Sequence, residues 1–127
     1  MYKNLTIASV LGVIAVILGA FGAHALKSKL TPEAMQSFET AVRYQFLHVI
    51  VLLFVNTYKE FNLKQKNAIS IFLIGGLLMF SGSIYAIYLL GVSAKTIWFV
   101  TPLGGVLLII GWSLMAFQFI KKVIKKE

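Results

Sequence analysis

The chain has 127 residues, 59% of them hydrophobic and only 13% charged, with 12 Lys and Arg against 4 Asp and Glu. Charge at about half the level of an average soluble domain, in a chain too short to bury several all-apolar helices in water, excludes a soluble fold and makes lipid the solvent. The chain has no cysteine, so disulfides, thiolate chemistry and cysteine-ligated zinc or iron-sulfur centres are excluded, while the redox compartment stays open.

The first apolar stretch covers residues 5–25. About 20 residues rising about 1.5 Å each cross a hydrocarbon core of about 30 Å. Lys3 followed by Ala23-His24-Ala25 also has the form of a signal peptide, but the apolar run exceeds the usual h-region of about 7 to 15 residues and reads as a retained span. Ala8, Gly12, Ala15, Gly19 and Gly22 alternate steps of four and three, a smooth seam against which another helix should pack closely. His24 stands at the outer end, about 160° around the helix from that seam.

Thr31-Pro32-Glu33 reads as an N-cap, a proline at the first helical position and an acid in the first turn. A helix starting there and ending near residue 58 is about 40 Å long, so its first turns, with Met35 and Phe38, lie at the outer interface and the span proper is 38–58. Polar residues enter this span. Counting from Phe38, Arg43 lies about 7 Å deep and His48 about 15 Å deep, near the midplane, where unpaired polar groups are costly. Ser37, Thr40, Ala41, Tyr44 and His48 share one face, flanked by Gln45, while Glu39 and Arg43 sit one turn apart on another.

The third stretch, 68–90, and the fourth, 102–120, are joined by a short loop with Lys95 and an interfacial Trp98-Phe99 pair, and Thr101-Pro102 repeats the start signal of the second helix. Gly75-Gly76 precedes Gly82-Ser83 as Gly104-Gly105 precedes Gly111-Trp112, a weak internal repeat or two independent answers to close packing. Gly12, Gly19, Gly22, Gly75, Gly82, Gly104 and Gly111 are the expected helix-packing positions. Runs such as 49–55 and 103–110 lack the alternation of barrel strands. The expected fold is all-α, one domain over 1–127, an integral membrane bundle of four transmembrane helices.

Lys3, Lys59, Lys64, Lys66, Lys121, Lys122, Lys125 and Lys126 fall on one side of four spans, and the other side has Lys27, Lys29 and Lys95 with Arg43 just inside a helix. The positive-inside rule then places both termini in the cytoplasm, where the closing lysines attract anionic lipids. Dispersed lysines do not form a nucleic-acid patch. With nothing like an arginine-rich transit peptide, a bacterial plasma (inner) membrane is the expected location.

Each intruder has two readings. Glu39 and Arg43 form either a surface-proximal ion pair with a snorkelling arginine or an entry site for an anion. His48 is either a neutral histidine bonded to a hydroxyl such as Ser81, Ser83 or Tyr85, or a ligand or proton-carrying group. His24 is either an interfacial residue or a protein contact; in the latter case helix one is engaged on opposite faces, which a homo-oligomer satisfies better than a lone bundle. Gly19-Ala20-Phe21-Gly22-Ala23-His24, Arg43-Tyr44-Gln45 with His48, Ser81-Gly82-Ser83-Ile84-Tyr85, Thr101-Pro102-Leu103-Gly104-Gly105 and Gly111-Trp112 resemble the signature of the domain of unknown function 423 family. The resemblance extends over all four spans and implies a bacterial four-helix membrane protein, with His24, Arg43, Tyr44, Gln45 and His48 in one family-level feature. It implies no reaction.

Three functions follow from these residues. The preferred one is small-solute or ion permeation, or its support, through an outer-leaflet polar cluster of His24, Glu39, Arg43, Tyr44, Gln45 and His48. The second is a membrane scaffold that clasps protein or lipid by its glycine seams, and the third a haem protein with His24 and His48 as axial ligands. With no serine-histidine-acid set, paired acids, phosphate loop or HExxH helix, an enzyme is not expected, nor a metal site or other cofactor.

Overall fold

The computed structural model describes residues 2–126, without the side chain of Lys126. Met1 and Glu127, the ends of the expected domain, and the terminal ammonium of Lys126 in the closing basic run lie outside the described residues. The chain forms α1 (Tyr2–Phe21), continued by a π-turn (Gly22–Leu26), then α2 (Pro32–Thr57), α3 (Leu63–Leu89) and α4 (Val100–Lys126). Each is long and apolar enough to cross a membrane, and no strand occurs among the described residues.

Local chemistry sets the helix ends. Thr31 Oγ1 accepts a hydrogen bond from the Ala34 amide at 3.1 Å, and Pro32 opens α2 as its sequence requires. α3 starts at Leu63, earlier than the apolar stretch at 68, because Asn62 and Gln65 form a reciprocal capping box with both bonds at 2.9 Å. Thr101 does not cap α4. The helix already begins at Val100, and the Thr101 hydroxyl bonds Ser83 of α3 instead. After α3 the chain turns at Gly91, whose φ of 73° suits a residue without a Cβ.

The helices pack in sequence order, α1 on α2, α2 on α3 and α3 on α4, and α1 and α4 make no extended contact with each other. They form an open row, not a closed ring. In the membrane-spanning stretches, 50% of α2 and 44% of α3 is buried, against 17% of α1 and of α4, so the outer pair are lipid-facing edges. Ala8, Leu52, Val55, Ile69, Leu73, Leu77, Leu108 and Met115 form a core drawing on all four helices. A smaller cluster of Leu26, Phe38 and Val42 closes the end remote from the termini.

The small-residue seam of α1 packs on α2 as its spacing predicts: Ala8 and Ala15 are fully buried, and Gly12, Gly19 and Gly22 oppose Val49, Val42 and Phe38. The fit is graded along the seam. A Cβ at Gly12 or Gly19 would stand 3.5 Å from a valine methyl, an ordinary contact, whereas one at Gly22 would come within 2.6 Å of the Phe38 ring. Between α3 and α4 the backbones themselves meet. A Cβ at Gly76 would lie 2.8 Å from the Gly104 carbonyl oxygen, one at Gly104 would collide with the Phe80 amide nitrogen, and one at Gly111 would lie 2.7 Å from Leu73 Cδ2. Gly75 and Gly82 correct the expectation, since a Cβ at either meets nothing within 4 Å. A step of one residue turns the direction by about 100°, so in the Gly75-Gly76 doublet the second glycine faces α4.

Candidate functional site

The six residues expected to form one polar cluster do not share one space. Gln45 and His48 are each 2% exposed, while His24, Glu39, Arg43 and Tyr44 are exposed.

Gln45 leaves α2 toward both neighbouring helices. Its Nε2 donates to the Leu11 carbonyl of α1 at 2.7 Å, and its Oε1 accepts from the Tyr85 hydroxyl of α3 at 2.6 Å. One amide thereby ties three helices together. One turn earlier on α2, the Ala41 carbonyl accepts from Ser81 Oγ at 2.8 Å. The same ring that bonds Gln45 rests on Phe38, with centroids 5.5 Å apart.

His48 turns toward α4. Trp112 Nε1 donates to His48 Nε2 at 3.0 Å, and His48 Nδ1 lies 2.7 Å from the Tyr44 carbonyl oxygen. An indole N–H only donates and a carbonyl only accepts, so the pair of partners defines a neutral imidazole with its hydrogen on Nδ1. Its acceptor lone pair is already used. The hydroxyls named from the sequence as partners go elsewhere: Ser81 to Ala41, Ser83 to Phe80 and Thr101, and Tyr85 to Gln45. Tyr44 stacks on Phe80, centroids 4.6 Å apart, and with His48 and Trp112 borders an apolar groove of about 500 Å³ between α2 and α4.

The haem arrangement fails on this geometry. Gly22 lies beside Phe38, which places His24 near the start of α2, and ten residues of helix from Phe38 to His48 span about 15 Å. The two histidines are thus not brought to one site, and both ring nitrogens of His48 already have partners.

Glu39 and Arg43 occupy a separate place. With Gly19, Gly22, Ala23, Met35, Phe38 and Val42 they line a cleft of about 220 Å³ between the end of α1 and the first turns of α2. Glu39 also borders an adjoining cavity of about 300 Å³ with Lys27 and Gln36. The ion pair that their i, i+4 spacing suggests is not made; among the described residues the salt bridge formed is Lys122 to Glu60, at 3.7 Å. His24 is exposed beyond this cleft, within the π-turn.

A second polar layer, near the termini, went unread in the sequence. Asn4 Nδ2 donates to Asn56 Oδ1 at 3.0 Å and to Asn67 Oδ1 at 2.9 Å, and the fully buried Asn56 donates to Ser70 Oγ at 2.8 Å. Gln65 Nε2 donates to Gln118 Oε1 at 2.6 Å, joining α3 to α4. An amide inside an apolar helix was the available signal: Asn56 lies within the expected second span, as His48 does. Among the described residues no buried side-chain polar atom lacks a partner, and no group of three His, Cys, Asp or Glu is placed to hold a metal.

Comparison with known proteins gives a consistent result. A family model described as "Protein of unknown function (DUF423)" matches residues 18–105. A "UPF0382 membrane protein" of Haemophilus influenzae is 37% identical over 121 residues, 94% of each chain. The "UPF0382 inner membrane protein YgdD" of Escherichia coli K12 is 37% identical over 117 residues, 87% of this chain and 84% of its own. A "UPF0382 membrane protein SAB0533" of Staphylococcus aureus is 35% identical over 102 residues, 80% of this chain and 82% of its own. No solved structure matches the chain. With four apolar helices in the expected order and a family match running from Leu18 to Gly105, the chain belongs to the DUF423 family of membrane proteins.

Proposed function

We propose that this protein is a non-catalytic, multi-pass component of the bacterial inner membrane that serves as a structural or assembly partner and not as a solute path. The observation that carries this reading is the pairing of the mid-membrane polar groups. Gln45 spends both ends of its amide on α1 and α3, and both ring nitrogens of His48 are engaged by Trp112 and Tyr44. Side chains that line a permeation path must exchange partners with the passing solute. Here the partners are other helices, which is how polar residues hold membrane helices in register.

The open row leaves long apolar faces on the edge helices, including Val13, Val16 and Ile17 on α1 and Ile109 on α4, each more than half exposed. Such edges are free for a second copy or another membrane protein to pack against in place of lipid, by close fit and not by hydrophobic drive. The lysine distribution supports a cytoplasmic side for the termini and the 58–62 connection, where Lys121, Lys122 and Lys125 would attract anionic headgroups. The name of the Escherichia coli relative agrees with that membrane.

The natural chain has no cysteine, so single cysteines or photo-crosslinkers at Val13 and Ile109 can be read without interference. The expected outcome is a discrete crosslinked protein species in native membranes, with proteoliposomes no more permeable to protons or chloride than protein-free vesicles. Flux that disappears in His48→Ala while the protein still inserts would replace this reading with permeation.

A further inference from the structure

We infer that the cleft between the end of α1 and the start of α2 binds the phosphoethanolamine headgroup of a membrane phospholipid, with Arg43 taking the phosphate and Glu39 the ammonium. The inference does not depend on the assembly reading, because a lipid seat at this cleft suits a scaffold and a permease equally.

Two observations converge on this site. Glu39 and Arg43 have the acid-before-base i, i+4 order that favours a helical ion pair, and yet they do not pair with each other. Both instead line the same cleft, so it presents one negative and one positive group to whatever enters. A ligand carrying a single charge satisfies only one of them and leaves the other facing a poorly solvated boundary. A zwitterion satisfies both.

The order of the charges selects the zwitterion. α2 runs from the end remote from the termini toward the end carrying them, so Glu39 is the shallower group and Arg43 lies about 6 Å deeper. In a phosphoethanolamine lipid the phosphate is attached to the glycerol, on the hydrocarbon side, and the ammonium reaches outward to water. Arginine is suited to phosphate by its planar fork of donors, and a primary ammonium can donate hydrogen bonds to a carboxylate. A phosphocholine headgroup has the same charges but no N–H to donate.

The remaining walls argue for a lipid over a free phosphoamine. Gly19, Gly22, Ala23, Phe38 and Val42 are apolar, and Gly19 opposes Val42 one helical turn deeper than Phe38. Gly19 and Val42 thus give the deep end of the cleft an apolar wall, against which the start of an acyl chain would lie. The adjoining cavity bordered by Lys27 and Glu39 opens at the shallow side, where the ammonium would meet water.

The test is native mass spectrometry of the full chain, delipidated in detergent and titrated with phosphatidylethanolamine, phosphatidylglycerol and phosphatidylcholine of identical acyl chains. The wild type should retain phosphatidylethanolamine about tenfold more tightly than either of the others, about the effect of one charge-assisted hydrogen bond. Arg43→Gln should weaken that binding about tenfold. Glu39→Gln should bind phosphatidylglycerol as well as phosphatidylethanolamine, and Lys95→Gln, in the connection between α3 and α4, should leave the preference unchanged. Glycerophosphoethanolamine, which has the headgroup but no chains, should compete weakly; equal competition would reassign the cleft to a soluble phosphoamine and overturn the lipid assignment. A wild type that prefers phosphatidylglycerol, or a Glu39→Gln variant that keeps the ethanolamine preference, would also overturn it. Should Arg43→Gln fail to insert, the nearly isosteric Glu39→Gln decides the question alone.

Discussion

The two outer seams of the row are held by different means. Between α3 and α4, Gly76 and Gly104 bring the helix backbones into contact, and an added Cβ at Gly104 meets main-chain atoms of Met79 and Phe80. Between α1 and α2, Gly12 and Gly19 leave room for a methyl against valine side chains, and the helices are clasped instead by amides: Gln45 on Leu11 near mid-span and Asn56 on Asn4 near the termini. Lipid supplies no hydrophobic drive for helices to associate, so close van der Waals fit and interhelical hydrogen bonds are the two means available. The two edges weight these means differently. Backbone contact dominates where α4 meets α3, with the Gln65–Gln118 and Ser83–Thr101 bonds beside it, and polar clasps dominate where α1 meets α2, over a small-residue seam that is looser at Gly12 and Gly19 than at Gly22.

That contrast can be broken most forcefully at Gly104. The obstructing atoms are backbone and cannot swing aside, so Gly104→Ala should destabilise the fold by about 3 kcal/mol, or remove the folded form, in a denaturation titration in micelles. Gly111→Ala meets the end of the Leu73 side chain, which can move, and should cost less. A result in which the Gly104 variant melts like wild type would refute the backbone seam.

On the other edge, Gln45→Leu deletes the clasp to Leu11 and leaves the Tyr85 hydroxyl without its acceptor. A loss of about 1 to 2 kcal/mol is expected, together with faster hydrogen exchange or crosslink loss confined to α1. The His48–Trp112 bond should show a coupling of about 0.5 to 1.5 kcal/mol in a double-mutant cycle of His48→Phe and Trp112→Phe. Zero coupling would mean that the two rings merely adjoin. The smallest effect belongs to Gly12→Ala, within about 0.5 kcal/mol of wild type, since the new methyl sits at ordinary contact distance and alanine favours helix. A large loss there would erase the distinction between the seams.

The polar residues make a parallel contrast. In the middle of the row they are buried and spent on one another, whereas Glu39 and Arg43 at the cleft are exposed and remain apart despite adjacent turns. From the sequence, His24, Glu39, Arg43, Tyr44, Gln45 and His48 look like one cluster, because they are the polar letters in apolar text. Which of them share a space depends on which helix each one meets. His48 illustrates the limit: its depth is readable by counting from Phe38, but its partner is Trp112, 64 positions away on α4.

The sequence by itself determined that this is a membrane protein with four helical spans, because hydropathy is a sum over neighbouring residues and each span is long enough to decide its own environment. It determined the start of α2 for the same reason, since Thr31 caps through residues within one turn, and Asn62 with Gln65 held an equally local signal for α3. Only the tertiary structure decided that the row stays open, that Gly76 and not Gly75 meets α4, that Thr101 bonds Ser83 instead of capping its helix, and that Gln45 joins three helices. These depend on the rotation and register of helices distant in sequence. A single-residue step turns a side chain by about 100°, while hydropathy scarcely changes from one lipid-facing direction to the next.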